Sequence, residues 1–192
     1  MKKIKDLLSE LVVAKGPVAG DYSEHVFDDL QKFYDQSFLP TGVWVRQGDV
    51  IDSIELTYGK KDFARGKSPF FHGGPNGYDA YFELPIGDFI RKIEVEYGKY
   101  PFSLRPSQRT KDQIIRIRFT TSSGLVSSWY GNICGKGERL KGKLFTIDAG
   151  ENNVICCLYG STGLKNMELH NYLQSVGVHY ISFLDAKKIL GQ

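Results

Sequence analysis

The chain has 192 residues, 41% hydrophobic and 24% charged, with a net charge of +3, the profile of one globular domain with enough chain for a substantial core. A charge this small, with Lys and Arg spread along the sequence, argues against a nucleic-acid partner, and no apolar run is long enough to span a membrane. The 21 Gly, 12 Phe and 11 Tyr point to strands joined by tight turns.

The N-terminus, "MKKIKDLLSELVVAKG", pairs basic with apolar residues. Asp6, Ser9 and Glu10 interrupt any signal-peptide core, and no A-x-A cleavage site follows. Residues 1–14 read as an N-terminal extension with the pattern of a short amphipathic helix, and 15–192 as the domain proper. With no leader evident, the expected location is cytoplasmic or, for a released protein, outside by a non-classical route. A glycine loop, "GPVAG" (16–20), leads to "FDD" (27–29), and helix is plausible at 28–33.

The central pattern begins with "GDVIDSIELTYG" (48–59). Ile54, Leu56 and Tyr58 alternate with Ser53, Glu55 and Thr57, the period of a strand with one core face and one wet face. A glycine loop "HGGPNG" (72–77) follows. "GDFIRKIEVEYG" (87–98) then repeats the first phrase, with Ile93, Val95 and Tyr97 alternating against charged residues. Further alternating runs lie at 113–121, 142–148, 153–160 and 176–184, a third glycine loop at 130–137, and a weak helical pattern at 165–173. Cys134, Cys156 and Cys157 are odd in number and lack metal-ligand spacing. The adjacent pair reads as buried strand residues, and the set fits a reducing compartment better than a disulfide framework. The fold class is therefore all-β. Three glycine loops and three turns leading into strands, "GDVID", "GDFIR" and "HNYLQ" (170–174), suggest pseudo-threefold architecture.

The ordered motifs "GPVAG", "FDD", "GDVIDSIELTYG", "HGGPNG", "GDFIRKIEVEYG", "IRFTT", "LYGSTG" and "LQSVGVHY" resemble those of the jacalin-related lectins, over about residues 15–183, and most closely the mannose-specific subtype. The resemblance implies a β-prism I fold, with three Greek-key four-stranded sheets about a pseudo-threefold axis. It also implies a metal-independent, non-catalytic lectin without cofactors, whose partners are mannose- or glucose-containing glycans or glycoproteins. Homodimerisation is common in the family.

The family's sites join a G-x-x-x-D turn to a facing glycine loop. "GDVID" matches in full: Gly48 opens the turn, Asp49 and Val50 offer backbone N–H donors, and Asp52 supplies an acceptor-only carboxylate for adjacent sugar hydroxyls. Asn76 and Gly77 would face it, glycine allowing close backbone approach. In "GDFIR" the acceptor is replaced by Arg91, so the second copy is not expected to bind mannose in this mode. The terminal turn departs as well: His170 replaces glycine and Gln174 replaces Asp. A site there would use Gly20, Tyr172 and Gln174 in a degenerate form.

Bland alternatives accompany each reading. Gly-Asp turns are common, and Asp52 could simply cap its own turn. Trp44, Tyr78 and Trp129 fit core or sheet-surface roles better than sugar stacking. His25, His72, His170 and His179 form no catalytic motif, and Asp49 and Asp52 share one turn rather than forming the separated acid and base of a glycosidase. No enzyme is expected. The competing reading is a β-prism protein-interaction or targeting module that has lost sugar binding.

Overall fold

The computed structural model describes residues 13–21, 23, 25–32, 39–59, 68–102, 111–133, 140–163 and 171–190. Twelve strands form three antiparallel four-stranded sheets. The first contains β1 (Ala14–Gly20), β2 (His25–Asp28), β11 (Asn153–Thr162) and β12 (Leu173–Ser182), in the order β1-β12-β11-β2. The second contains β3 (Pro40–Gln47), β4 (Ile51–Tyr58), β5 (Phe71–Gly73) and β6 (Tyr78–Glu83), in the order β5-β4-β3-β6. The third contains β7 (Ile90–Lys99), β8 (Asp112–Thr121), β9 (Tyr130–Gly131) and β10 (Lys143–Asp148), in the order β10-β7-β8-β9. In each sheet two outer strands flank a central hairpin, and in the second and third sheets they are the two strands that follow it, the Greek-key order. In the first sheet those flanking strands come from the other end of the chain.

The inner faces meet in one core. Val43, Val45, Ile54 and Leu56 from the second sheet, Ile93, Val95, Ile117 and Phe119 from the third, and Val154, Val176 and Val178 from the first are all buried there. Period-two alternation places Ile54, Leu56, Ile93 and Val95 on this face; β3, with Val43 and Val45, is not among the alternating runs read from the sequence. The expected wet face of β4 and β7 is not wet. Ser53 and Glu55 are buried, as are Glu94 and Glu96. On the third sheet Arg118 makes a two-pronged contact to Glu94, with bonds of 2.7 and 2.8 Å, and Arg116 pairs with Glu96. Both guanidinium groups then stack on Trp129, at 4.3 and 4.7 Å. Charge pairing and cation–π contact close that face.

The strand expected over 176–184 stops at Ser182, and a helix, α1 (Phe183–Leu190), follows. Ser182 caps it: its Oγ accepts from the Asp185 amide at 3.1 Å and donates to the Asp185 carboxylate at 2.7 Å. The S-x-x-D spelling of 182–185 carries that signal in the sequence. The helix proposed at 28–33 is a 3-10 turn, Asp29–Lys32. The one proposed at 165–173 lies mostly outside the described residues; its last residue, Leu173, opens β12. The N-terminal helical pattern, Cys134 and His170 also lie outside the described residues. Cys156 and Cys157 are buried free thiols.

Strand direction corrects one expectation. β3 runs toward the "GDVID" turn, and β4, β5 and β6 then alternate direction. The chain therefore leaves β6 and enters β7 at the opposite pole of the prism, and "GDFIR" sits there. The two phrases are not equivalent units. The hairpins related by the pseudo-threefold axis are β3–β4, β7–β8 and β11–β12.

Candidate functional site

Backbone pairing identifies three equivalent positions at the pole of the "GDVID" turn. Asp52 falls where the β3–β4 register shifts, unpaired between Gln47↔Ile51 and Arg46↔Ser53. Ile115 sits in the same kind of bulge between Tyr97↔Ile114 and Glu96↔Arg116. Gln174 does so between Thr162↔Leu173 and Ser161↔Ser175. A glycine with positive φ closes on the carbonyl of each: Gly73 on Asp52, Gly131 on Ile115 and Gly20 on Gln174. A β-bulge re-aims its side chain, and the same device occurs three times with three chemistries: a carboxylate, an alkyl group and an amide.

Asp52 and Gly77 do come together. Gly77 has φ +78°, and a Cβ there would lie 2.5 Å from Asp52 Oδ2 and 2.8 Å from the Gln47 carbonyl oxygen. Any side chain at 77 would occupy the approach to the carboxylate. A Cβ at Gly48 would lie 3.3 Å from the same oxygen. Asn76, half-buried, precedes Gly77 in the facing loop. The turn spends its Gly48 amide on the Val50 carbonyl, at 2.9 Å, and the Gly48 carbonyl accepts from the Ile133 amide. The Asp52 carbonyl accepts from the Gly74 amide at 3.0 Å, which ties the glycine loop to the turn.

The Asp52 side chain is 4% exposed. No described group donates a hydrogen bond to its carboxylate, so the turn-capping alternative finds no support. Burial pushes its carboxyl from an ordinary 3.8 up to about 7; Arg46 opposes the shift and Asp49 reinforces it. Arg46 on β3 also pairs with Asp79 at 3.4 Å and reaches the Gly77 carbonyl at 3.5 Å.

Asp49 is held differently. Its Oδ2 accepts from the Tyr100 hydroxyl at 3.1 Å. Tyr100 lies at the end of β7, Tyr172 precedes β12, and their rings meet edge to face at 5.6 Å. With Val50 and Leu140 they form a small apolar hub separate from the main core. Tyr172 is thus buried in contact with the first turn rather than presented on an open terminal site. Gln174 is 1% exposed, and among the described residues neither of its amide atoms has a hydrogen-bond partner. Gly20, Tyr172 and Gln174 do not form a second copy of the Asp52 arrangement. Sequence reasoning missed Arg46 and Tyr100. Arg46 lies two residues before Gly48 without any motif to mark it, and Tyr100 is 51 residues from Asp49.

Of the aromatics, Trp44 packs on Tyr81 with ring centroids 5.0 Å apart, and Tyr78, beside Gly77, is 73% exposed. His72 is buried against Asp29 at 2.7 Å and His179 lies 2.9 Å from Asp28. Among the described residues no group of His, Cys, Asp and Glu could hold a metal ion, and no helix is long and apolar enough to cross a membrane.

The profile of the Jacalin-like lectin domain matches residues 15–180. The chain belongs to the jacalin-like lectin family. Among solved structures it is similar to a mannose-specific jacalin-related lectin from Morus nigra in complex with mannose, at 19% identity and TM-score 0.60, over 90% of this chain and 94% of that one. It is also similar to wild-type Malaysian banana lectin, at 18% identity and TM-score 0.59, over 89% and 97%. A mannose-binding jacalin-related lectin from Ananas comosus matches at 16% identity and TM-score 0.61, over 88% and 98%. At these identities the likeness shows the fold, a β-prism I. No curated protein matches the sequence.

Proposed function

We propose that this jacalin-like protein is a carbohydrate-binding lectin for mannose- or glucose-type glycans, acting at the Asp52 turn without metal or catalysis. One observation carries the reading: Asp52 is a buried carboxylate that accepts no hydrogen bond from the described residues and faces a glycine no side chain could replace without blocking it. A buried acceptor left without donors is costly. Two adjacent sugar hydroxyls would supply them, with backbone amides of the turn and of Gly77 donating to the sugar oxygens. A rigid, preformed site of this kind limits the ordering cost of a weak ligand.

The mannose ligands named for the Morus nigra and Ananas comosus lectins support the sugar class. Among the three equivalent bulges only the one at Asp52 carries a carboxylate, which supports Asp52 as the sugar acceptor at this pole. The loss at Ile115 and Gln174 favours, as the second reading, a prism that recognises protein.

A glycan array probed with the metal-free protein and with Asp52→Ala separates them. The proposal expects mannoside or glucoside signals that fall at least about tenfold, about 1.4 kcal/mol, in the variant. A folded protein silent on the array, or one whose binding survives the substitution, overturns it.

A further inference from the structure

At the opposite pole, where "GDFIR" links the second sheet to the third, lies a cavity of about 430 Å³, within the size range of small-ligand sites. Its polar lining comprises Asp88, Arg91, Ser122, Ser123, Glu151 and Asn153, and Phe183 of α1 contributes apolar wall. None of these residues belongs to the Asp52 site.

Arg91 explains why the lining matters. Its Nε is buried, yet it has no acceptor, although a guanidinium carries five donors. Two acids lie three residues away in sequence, and both are already committed: Glu94 pairs with Arg118, and Asp88 is bonded to its own turn and to Ser122 and Ser123. Its Oδ1 accepts from the Phe89 amide at 2.9 Å, the Ser123 amide at 3.0 Å and the Ser122 hydroxyl at 2.5 Å, and its Oδ2 accepts from the Ser123 hydroxyl at 2.5 Å. Asp88 therefore braces the pocket wall and leaves the Arg91 Nε–H without an acceptor among the described residues.

Acceptors are also present. The Ser122 and Ser123 hydroxyls donate to Asp88 and each keeps one lone pair, the other being taken by the Phe89 amide at 3.3 Å and by the Thr121 hydroxyl at 3.1 Å. Asn153 donates its Nδ2 to the Ala149 carbonyl at 2.9 Å, which leaves Oδ1. Glu151 is exposed at the rim. One guanidinium against two carboxylates gives the lining no net positive charge, so a free anion is poorly matched. A ligand whose groups both donate and accept suits the mixture.

We propose that this cavity is a second carbohydrate-binding site, taking a neutral pyranose whose hydroxyls accept from Arg91 and donate to the acceptors of Ser122, Ser123, Asn153 and Glu151. Neutral sugar hydroxyls satisfy the buried Nε without adding charge beside Asp88, whose carboxyl burial pushes up but hydrogen bonds from Ser122, Ser123 and Thr121 together hold down at about 2 and hence ionised. The site stands independently of Asp52. Two sites at opposite poles would let a single chain bridge two glycans, a route to avidity.

Nitrogen-15-labelled full-length protein would be titrated with methyl α-mannoside, methyl β-galactoside and N-acetylglucosamine, and separately with sodium sulfate. The readouts are the Arg91 Nε–Hε resonance and the Ser123 and Asn153 amides. At least one sugar is expected to move them saturably, in the wild type and equally in Asp52→Ala. In Arg91→Ala the apparent affinity at this pole should fall at least about tenfold, while resonances around Asp52 respond as before. No saturable shift at these three groups with any of the sugars, or a tighter response to sulfate than to all of them, overturns the proposal. Neither outcome bears on Asp52, whose resonances report separately.

Discussion

The two Gly-Asp turns share a spelling and differ in almost everything physical. In "GDFIR", Asp88 accepts four hydrogen bonds and is held down at about 2. In "GDVID", Asp52 accepts none from the described residues and is pushed up to about 7. The first carboxylate has its donors inside the protein and works as a brace. The second is desolvated with only the nearby Arg46 charge to offset it, a cost that makes sense when donors arrive from outside. Hydrogen-bond satisfaction, more than sequence similarity, separates a structural acid from a binding one.

The sharpest test of this contrast is Asp88→Ala. It strands the Phe89 and Ser123 amides and two hydroxyls, and should cost about 2–4 kcal/mol of folding stability, read from a urea transition. Sugar binding at the Asp52 pole should be unchanged in the folded fraction.

Next comes pH. Asp52 has a folded pKa above its ordinary value, so its ionisation opposes folding progressively as pH rises from about 4 to about 7. Sugar binding needs the ionised acceptor and runs the other way. Affinity for methyl α-mannoside should weaken about tenfold between pH 8 and pH 6, measured by titration calorimetry. Asp88, held low, stays ionised across that window and contributes nothing to the change. A flat profile would mean that Asp52 is not the titrating acceptor.

Tyr100→Phe should have the smallest effect. It removes the 3.1 Å bond to Asp49 while keeping the ring against Tyr172. A few-fold loss of affinity, about 0.5–1 kcal/mol, with little change in Tm would show that the hydroxyl positions the turn. No change would place Tyr100 in the hub alone.

These differences also mark what the sequence could convey. Alternation at Ile54, Leu56, Ile93 and Val95 placed the core face, because burial acts residue by residue along a strand. The meeting of Asp52 with Gly77 was implied by the resemblance to the family's sites and is seen in the structure. The pole of "GDFIR" did not, since a turn's spelling reports local backbone chemistry, whereas its pole depends on the direction of every strand before it. The second face of β4 and β7 was hidden for a related reason: Glu94 and Glu96 look solvent-exposed until Arg116, Arg118 and Trp129 are brought over them. The Tyr100–Asp49 bond spans 51 residues without a local signature. α1 was missed because the alternating run reads as strand through Leu184, although Ser182 and Asp185 carry the capping spacing that ends it.

The central claim, that Asp52 is an acceptor kept for a sugar, is tested most directly by calorimetric binding of methyl α-mannoside to Asp52→Asn at pH 8. The substitution keeps the side-chain shape, exchanges one acceptor for a donor and removes the charge. The account predicts a folded protein whose affinity is at least about tenfold weaker than wild type. Undiminished affinity in the folded variant would contradict it.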